Sequence, residues 1–410
     1  MHLNRYILEL LYLPVIFSYI YYFLLKPKNS ILKSTKIKIN RILLLVLFGL
    51  MLSSLVSYYK GKFFSSLTEV DITRIYQFLI VFILPPILMN SKFIDSKKYK
   101  NLFFKSVLIF TLLVGFSLLT SGLGHSLFIG GIFAATTVSL TMVSIIAYFG
   151  LYQYYVHNQR LGLVLSLIAW LISIASLTKW NFFIDITIPI LIVLIYFKRK
   201  RVQHTKKIIV ALLFSLFLAI GIVPRMGKYF NSFASLQGYS SFDNYLDSRV
   251  LRQSMGNVEF SSGAVFDVNG VGISDGARIS MWNDMIDRTL EHPFFGLGLG
   301  ARPFDYYGST VEDHSFLIYT ISRFGFVFGF LILFYVFKAI KFFYDKYANI
   351  KDFNFLKYIY LALIGNFFFQ GCVGQVWGQL PVTLLVGLVL GIMLGESMKY
   401  RLNYEKQSKN

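Results

Sequence analysis

The sequence is poor in charge and in cysteine. Only 15% of its 410 residues are charged, against about a quarter in an average soluble domain. Its one cysteine, Cys372, excludes an intrachain disulfide framework and a metal site built from a cysteine cluster. The chain is instead 56% hydrophobic and 18% aromatic, with a mean hydropathy of +0.60. These proportions predict an integral membrane protein.

Long apolar runs recur along the chain, and about twenty apolar residues suffice to cross a bilayer. We therefore expect an all-α fold, a polytopic bundle of about 11 transmembrane helices within a range of about 10 to 12. The first run has neither a basic start nor a small-residue cleavage site, so we interpret it as a retained span. The candidate spans lie near 6–25, 41–58, 73–90, 102–120, 127–155, 161–177, 180–197, 207–224, 315–337, 355–373 and 379–397.

Lysine and arginine are concentrated in every second connection between these spans, as in "KRKRVQHTKK" at 198–207. Such an excess marks the cytoplasmic connections of a membrane protein. The alternation places the N-terminus outside and the C-terminus in the cytoplasm. The formal net charge of +20 is therefore a topology signal, and we expect no nucleic-acid partner.

One connection differs from the others in length and sign. Residues 225–313 contain seven Lys/Arg and eleven Asp/Glu, a net charge of −4, which predicts a large external loop. The chain then divides into the first eight spans (1–224), this loop (225–313), the last three spans (314–397) and a basic cytoplasmic tail (398–410).

The loop contains one short amphipathic helix followed by a glycine-rich segment. In "DGARISMWNDMIDRTLEHP", Asp275 is placed to cap the helix and Pro293 to end it. The following "FGLGLG" holds Gly296, Gly298 and Gly300, which predict a tight backbone that approaches its neighbours closely.

Two ionisable residues lie next to or within the ninth span. His314 directly precedes the span. Arg323 lies within it and is expected to face the bundle, because a charged side chain exposed to lipid costs free energy. Nine residues of helix would separate the two by about 14 Å and turn them to opposite faces. They can share one pocket only if the helix begins after His314. Further along the span, Gly325 and Gly329 form a small-xxx-small pair that predicts close helix packing.

The ordered set "R-x-x-x-W … HPFFGLGLG … DHSFLIYTISRFGFVFG", after many spans and a large external loop, resembles the O-antigen polymerase and O-antigen ligase superfamily. The set covers about fifty residues, and the topology extends the likeness along the chain. Two departures stand out: Ser315 follows the histidine where the family often has asparagine, and Lys179 takes the place of an arginine near an earlier span. The matching positions are Arg278, Trp282, Pro293, Gly296, Gly298, His314, Leu317, Gly325 and Gly329.

Members of this superfamily join glycans carried on a polyprenyl diphosphate at the outer face of the bacterial cytoplasmic membrane. The resemblance implies that reaction here, an inverting glycosyl transfer without cofactor, in O-antigen, capsule or exopolysaccharide synthesis. Arginine suits a diphosphate because it offers bidentate donors, and histidine suits a base near neutral pH. The candidate catalytic residues are His314 and Arg278; the candidate residues for binding diphosphate or sugar are Arg249, Arg252, Arg302, Arg323, Lys179 and Trp282.

No metal is expected for this reaction; the acids of the first external loop, from Tyr59 to Asp71, are Glu69 and Asp71, both at its end. The implied partners are polyprenyl-diphosphate-linked oligosaccharides and the lipid bilayer. A chain-length regulator and a flippase of the same pathway are further candidates.

Three functions stay open at the level of sequence. The first is a polymerase of lipid-linked repeat units. The second is a ligase that moves the finished glycan onto lipid A core or onto protein. The third is a non-enzymatic flippase for lipid-linked oligosaccharides. A flippase would need no large outer loop with clustered arginines, and it should carry charges inside several spans. The sequence favours the enzymes.

Overall fold

The structure is a computed structural model, and it describes residues 30–60, 66–90, 97–121, 136–175, 275–303, 315–349, 356–373 and 375–407. Within these ranges the chain is helical and contains no strand. The expected all-α fold is therefore confirmed for the described part of the protein.

The described helices overlap the predicted spans, and several extend beyond them. The predicted amphipathic helix of the loop is also present. The helices are α1 (Ser30–Tyr59), α2 (Ser66–Asn90), α3 (Lys97–Ser121), α4 (Thr136–His157), α5 (Arg160–Ala175), α6 (Asp275–Glu291), α7 (Phe316–Phe343), α8 (Leu356–Val373) and α9 (Leu380–Gln407). A π-helical turn, Tyr344–Ala348, continues α7, and a 3₁₀ turn, Gln375–Gly378, precedes α9.

Four helices of the described part are long and apolar enough to cross a membrane. They support the membrane class that the composition predicts. The predicted spans 6–25, 180–197 and 207–224 lie outside the described residues, so the total of about 11 stays a prediction. The four apolar segments are Ile39–Tyr59, Thr68–Met89, Phe316–Ala348 and Pro381–Arg401.

The described helices belong to two compact units. One unit contains the described residues up to Phe104 and from Met281 onwards, and the other contains those between Lys105 and Ser280. In the second unit α4 and α5 form a hairpin in which Ser166 Oγ donates a hydrogen bond of 2.7 Å to the carbonyl of Ala147. All candidate site residues whose side chains are described lie in the first unit.

Helices α2 and α9 pack closely in the first unit because α9 presents glycines to α2. A Cβ added to Gly387 would lie 3.1 Å from the Leu84 side chain, and one added to Gly391 would collide with Leu88. Such close approach of backbones is the usual way for small residues to bring membrane helices together.

The helix ends of the first unit sort into two groups. The end of α1, the beginnings of α2 and α7, and the 3₁₀ turn before α9 meet at what we call the Lys60 end. The beginning of α3 and the end of α9 meet at the Glu396 end, where Lys100 pairs with Glu396 and Arg401 reaches the carbonyl of Lys346. The lysine pattern predicts the same grouping, with the Lys60 end external; which end faces the cytoplasm stays a prediction.

Candidate active site

Helix α7 is broken at Gly325, which has φ 78° and ψ 169°. In a regular helix the amide of Phe326 would donate to the carbonyl of Ser322. Here Phe326 N donates instead to Pro293 O, and Ser322 O accepts from Leu297 N, each at 2.7 Å. The loop segment 293–297 is therefore inserted into one opened hydrogen bond of the helix, and both halves of that bond are satisfied.

The glycines of the loop make this insertion sterically possible. Gly296, Gly298 and Gly300 all have positive φ, between 69° and 83°, a region that side chains with a Cβ rarely adopt. A Cβ on Gly296 would lie 2.5 Å from Ser322 O, and one on Gly298 would lie 2.8 Å from Ser57 Oγ. The prediction of a tight, closely approaching backbone is confirmed.

The prediction for Gly325 and Gly329 as a helix-packing face is wrong. A Cβ on Gly325 would meet Phe294 O at 2.5 Å, and one on Gly329 would meet Ile321 Cα at 2.9 Å. The first glycine leaves room for the inserted loop, and the second leaves room for the helix's own preceding turn across the break. Neither glycine has a second helix as its nearest neighbour.

A buried ionic cluster lies beside the break and consists of Asp71, Arg302 and Arg323. Asp71 Oδ2 accepts from Arg323 Nε at 3.1 Å, from Arg302 Nη1 at 3.1 Å and from the amide of Gly300 at 2.7 Å. All three charged residues are at most 2% exposed. The cluster joins the first turns of α2, the glycine segment and α7.

The charges of the cluster explain why it holds these segments so firmly. A buried ion is tolerated only when it is paired and hydrogen-bonded. One carboxylate faces two guanidinium groups, so the three residues carry a net charge of +1. Removing the carboxylate would leave two buried cations without their counter-ion, which is why Asp71 is the central member.

Further contacts fix the cluster from both sides. Tyr319 donates its hydroxyl to the Asp71 carbonyl at 3.0 Å, and its ring lies 4.8 Å from the Arg323 guanidinium. Trp377 packs on that ring with centroids 4.6 Å apart. On the loop side, Arg288 Nη1 donates to the carbonyl of Arg302 at 2.9 Å.

Two serines of α1 complete the site. Ser53 Oγ donates to the carbonyl of Arg323 at 2.9 Å, and Ser57 Oγ lies 2.8 Å from the carbonyl of Leu299. Arg323 O is one of the carbonyls close to the break, so Ser53 contributes a hydrogen bond at the disturbed turn. Four segments of the chain thus meet at the Lys60 end.

The structure brings two of the predicted site residues together and describes a third. Arg302 and Arg323 share Asp71, while Trp282 lies on α6 and is half-buried. Helix α7 begins at Phe316, after His314. This is the condition under which His314 and Arg323 could share one pocket. Arg278 lies on α6, but its side chain is outside the described residues; so are the whole of His314, Arg249, Arg252 and Lys179.

The residue that sequence reasoning missed is Asp71, which we treated only as the end of the first external loop. The predicted span began at residue 73, whereas α2 begins at Ser66 and places Asp71 inside the helix. An acid at the mouth of an apolar span would have drawn attention, because such charges normally have a partner. Its partners lie more than 200 residues away in the sequence, so spacing alone could not reveal them.

Among the described residues, no group of histidine, cysteine, aspartate or glutamate is arranged to hold a metal ion. No family model, no curated protein and no solved structure matches this chain.

Proposed function

We propose that this protein is a glycosyltransferase that polymerises oligosaccharide repeat units carried on a polyprenyl diphosphate. The observation that supports the proposal most is the contact between the two described parts of the family-like pattern. The segment with Pro293 and Gly296 is inserted at Gly325, which belongs to the span behind His314. Residues that resemble the superfamily in sequence thus act as one structural unit.

The proposed reaction takes place where the loop and α7 meet. The acceptor hydroxyl gives its proton to His314, and its oxygen forms a bond to the anomeric carbon of the donor sugar. The bond from that carbon to the diphosphate breaks, so the polyprenyl diphosphate leaves and the configuration is inverted. A cation near the leaving group lowers the barrier by stabilising the charge that develops there.

The structure changes the roles that we assign to two of the arginines. Arg302 and Arg323 are buried and bound to Asp71, so we assign them to positioning the glycine segment rather than to binding the diphosphate. The cation at the leaving group is then Arg278, with Arg249, Arg252 and Lys179 as further candidates. Trp282 keeps its proposed place beside the sugar.

The experiment that tests the proposal is polymerisation by the purified protein, supplied with a lipid-diphosphate repeat unit alone. A ladder of products is expected, and it should disappear in His314→Ala and Arg278→Ala. Product that forms only after lipid A core or a protein acceptor is added would identify a ligase. Passage of the lipid-linked unit across vesicle membranes without any new glycosidic bond would identify a transporter and overturn the proposal.

A further inference from the structure

The glycine segment belongs to what the sequence predicts to be an external loop, yet its position along the helices places it deep in the membrane. Helix α1 provides a scale of depth along its axis, since exposed Arg41 and exposed Lys60 bracket its apolar stretch. The nineteen steps between them span about 29 Å of helix. A hydrocarbon layer is about 30 Å thick, so these two residues mark its borders.

A contact between α1 and α7 relates positions on α7 to this depth scale. Ser53 is seven residues from Lys60, and it bonds to Arg323, which is seven residues from Phe316. Phe316 therefore lies at the level of Lys60. Gly325, nine residues further along α7, lies about 14 Å below that border. Exposed Lys338 marks the other border on α7.

The turn after α6 lies at this depth. Pro293 bonds to the amide of Phe326, and the ring of Phe295 stacks on Phe328 with centroids 6.4 Å apart. Phe328 in turn contacts Phe48 of α1 at 5.7 Å, twelve residues from Lys60 and so about 18 Å from the border. The tip of the loop is therefore close to the middle of the apolar length that Arg41 and Lys60 bracket.

The backbone of the segment is equipped for such a place. Non-helical backbone is tolerated inside a membrane only where its polar groups have partners or meet water. Here Gly296 N bonds to His292 O, while Leu297 N, Leu299 O and Gly300 N bond to Ser322, Ser57 and Asp71. Pro293 has no amide hydrogen to satisfy, and its carbonyl bonds to Phe326.

The side chains around the tip are of two kinds. Phe294 is 64% exposed and Phe295 is 50% exposed, which suits contact with acyl chains. Glu291, the last residue of α6, and His292, directly after it, are exposed as well. A carboxylate facing hydrocarbon at this depth costs several kcal/mol, roughly 3 or more, so this face requires water.

We infer that the end of α6 and residues 292–300 form a re-entrant element that dips from the Lys60 end to the middle of the bilayer. Its Phe294–Phe295 tip contacts lipid chains, and its Glu291–His292 face lines a water-filled cleft. A lipid with a charged headgroup needs two such surfaces side by side. That use of the cleft rests on the proposed function, whereas the cleft itself does not.

Cysteine labelling tests this arrangement without any substrate. In a Cys372→Ala background, which removes the one native thiol, single cysteines replace Glu291, His292, Phe294 and, as the depth-matched control, Met51. Met51 is 53% exposed on the lipid-facing stripe of α1 and lies about 14 Å from the border. A charged, water-soluble thiosulfonate is applied to vesicles opened by freezing and thawing, so that both faces meet the reagent.

Glu291→Cys and His292→Cys should react at least about tenfold faster than Met51→Cys, because the thiolate is the reactive form and does not persist in hydrocarbon. Phe294→Cys should stay slow with the charged reagent but react with a lipid-soluble maleimide. Tyr59→Cys, at the border, is the positive control, and a single symmetric elution peak in detergent confirms that each variant is folded.

Three results would overturn the inference. If Glu291→Cys and His292→Cys react as slowly as Met51→Cys, the face is not wet. If Phe294→Cys reacts with the charged reagent as fast as His292→Cys, the tip does not contact lipid. If Met51→Cys reacts fast, the depth scale itself is wrong. Loss of polymerisation in any variant would bear on the proposed function alone.

Discussion

The two ends of the first unit are held together in different ways. At the Lys60 end, three fully buried charged side chains join α2, α7 and the loop after α6. At the Glu396 end, Lys100 and Glu396 form a pair whose side chains are 27% and 10% exposed. A partly solvated pair contributes little to stability, whereas a buried cluster is costly to disturb. Disturbing a charged side chain is therefore expected to cost more stability at the Lys60 end.

The backbone of α7 also differs between the two ends of the unit. Helix α7 gives up a regular hydrogen bond at Gly325 to accept the loop, whereas towards the Glu396 end α9 packs on α2 through glycines and α7 continues into a π-helical turn. Non-helical backbone at membrane depth is tolerated only where it is buried in protein or lines a water-filled cavity.

The largest effect is expected for Asp71→Asn, which keeps the shape of the side chain but removes its charge. Two buried guanidinium groups then lack their counter-ion, so the free energy of unfolding should fall by about 3–5 kcal/mol. Chemical unfolding of the detergent-solubilised protein measures it. If Asp71→Asn unfolds like the wild type, the cluster does not hold the Lys60 end together.

Gly325→Ala should come next. The added Cβ would lie 2.5 Å from Phe294 O at a φ of 78°, and the strained backbone alone costs about 1–3 kcal/mol. The matched control is Gly365→Ala on α8, where nothing lies within 4 Å of an added Cβ. The control should be neutral or stabilise the protein by up to about 1 kcal/mol. Equal destabilisation by both substitutions would refute the inserted loop.

Ser53→Ala should have a smaller effect, since it removes one hydrogen bond to the carbonyl of Arg323. Loss of a single buried bond costs about 1 kcal/mol. Ser54→Ala, one residue further along α1 and half-buried, is the control and should change the unfolding free energy less. The same unfolding assay compares the two variants. Equal effects would contradict a stabilising role for the hydrogen bond from Ser53 to Arg323.

The smallest effect is expected at the other end. Glu396→Gln should lower the free energy of unfolding by at most about 1 kcal/mol, because its pair with Lys100 is partly solvated. Polymerisation should continue at the wild-type rate, measured as the ladder of products. A loss as large as that of Asp71→Asn would abolish the distinction between the two ends.

Much of the architecture could be predicted from sequence because it depends on local composition. Apolar runs of sufficient length located the helices, although α1 and α2 begin earlier and α9 ends later than the predicted spans. Pro293 and the three loop glycines marked the end of α6 and the tight segment behind it. The alternation of lysine-rich connections predicts that the beginning of α3 and the end of α9 lie on the same side, and Lys100 and Glu396 are in contact. Each of these signals can be detected within a short window.

The contacts within the site could not be predicted, because they join residues that are far apart in the sequence. The sequence makes Arg302 and Arg323 candidates for binding diphosphate, and the fold supplies Asp71 as their common partner. Similarly, Gly325 and Gly329 matched a helix-packing motif, but the neighbour that arrives is the loop at Phe294. A glycine motif indicates that another part of the chain packs closely there, but it does not identify that part.

The central claim is that Asp71 and Arg323 stabilise the Lys60 end as a mutually dependent buried pair. A double-mutant cycle with Asp71→Asn, Arg323→Gln and the combination tests it most directly, by chemical unfolding in detergent. The double variant should be less destabilised than the sum of the single variants by about 1–3 kcal/mol, because the loss of the Asp71–Arg323 bond is counted in both single variants. Single effects that add to within about 0.5 kcal/mol would contradict the claim.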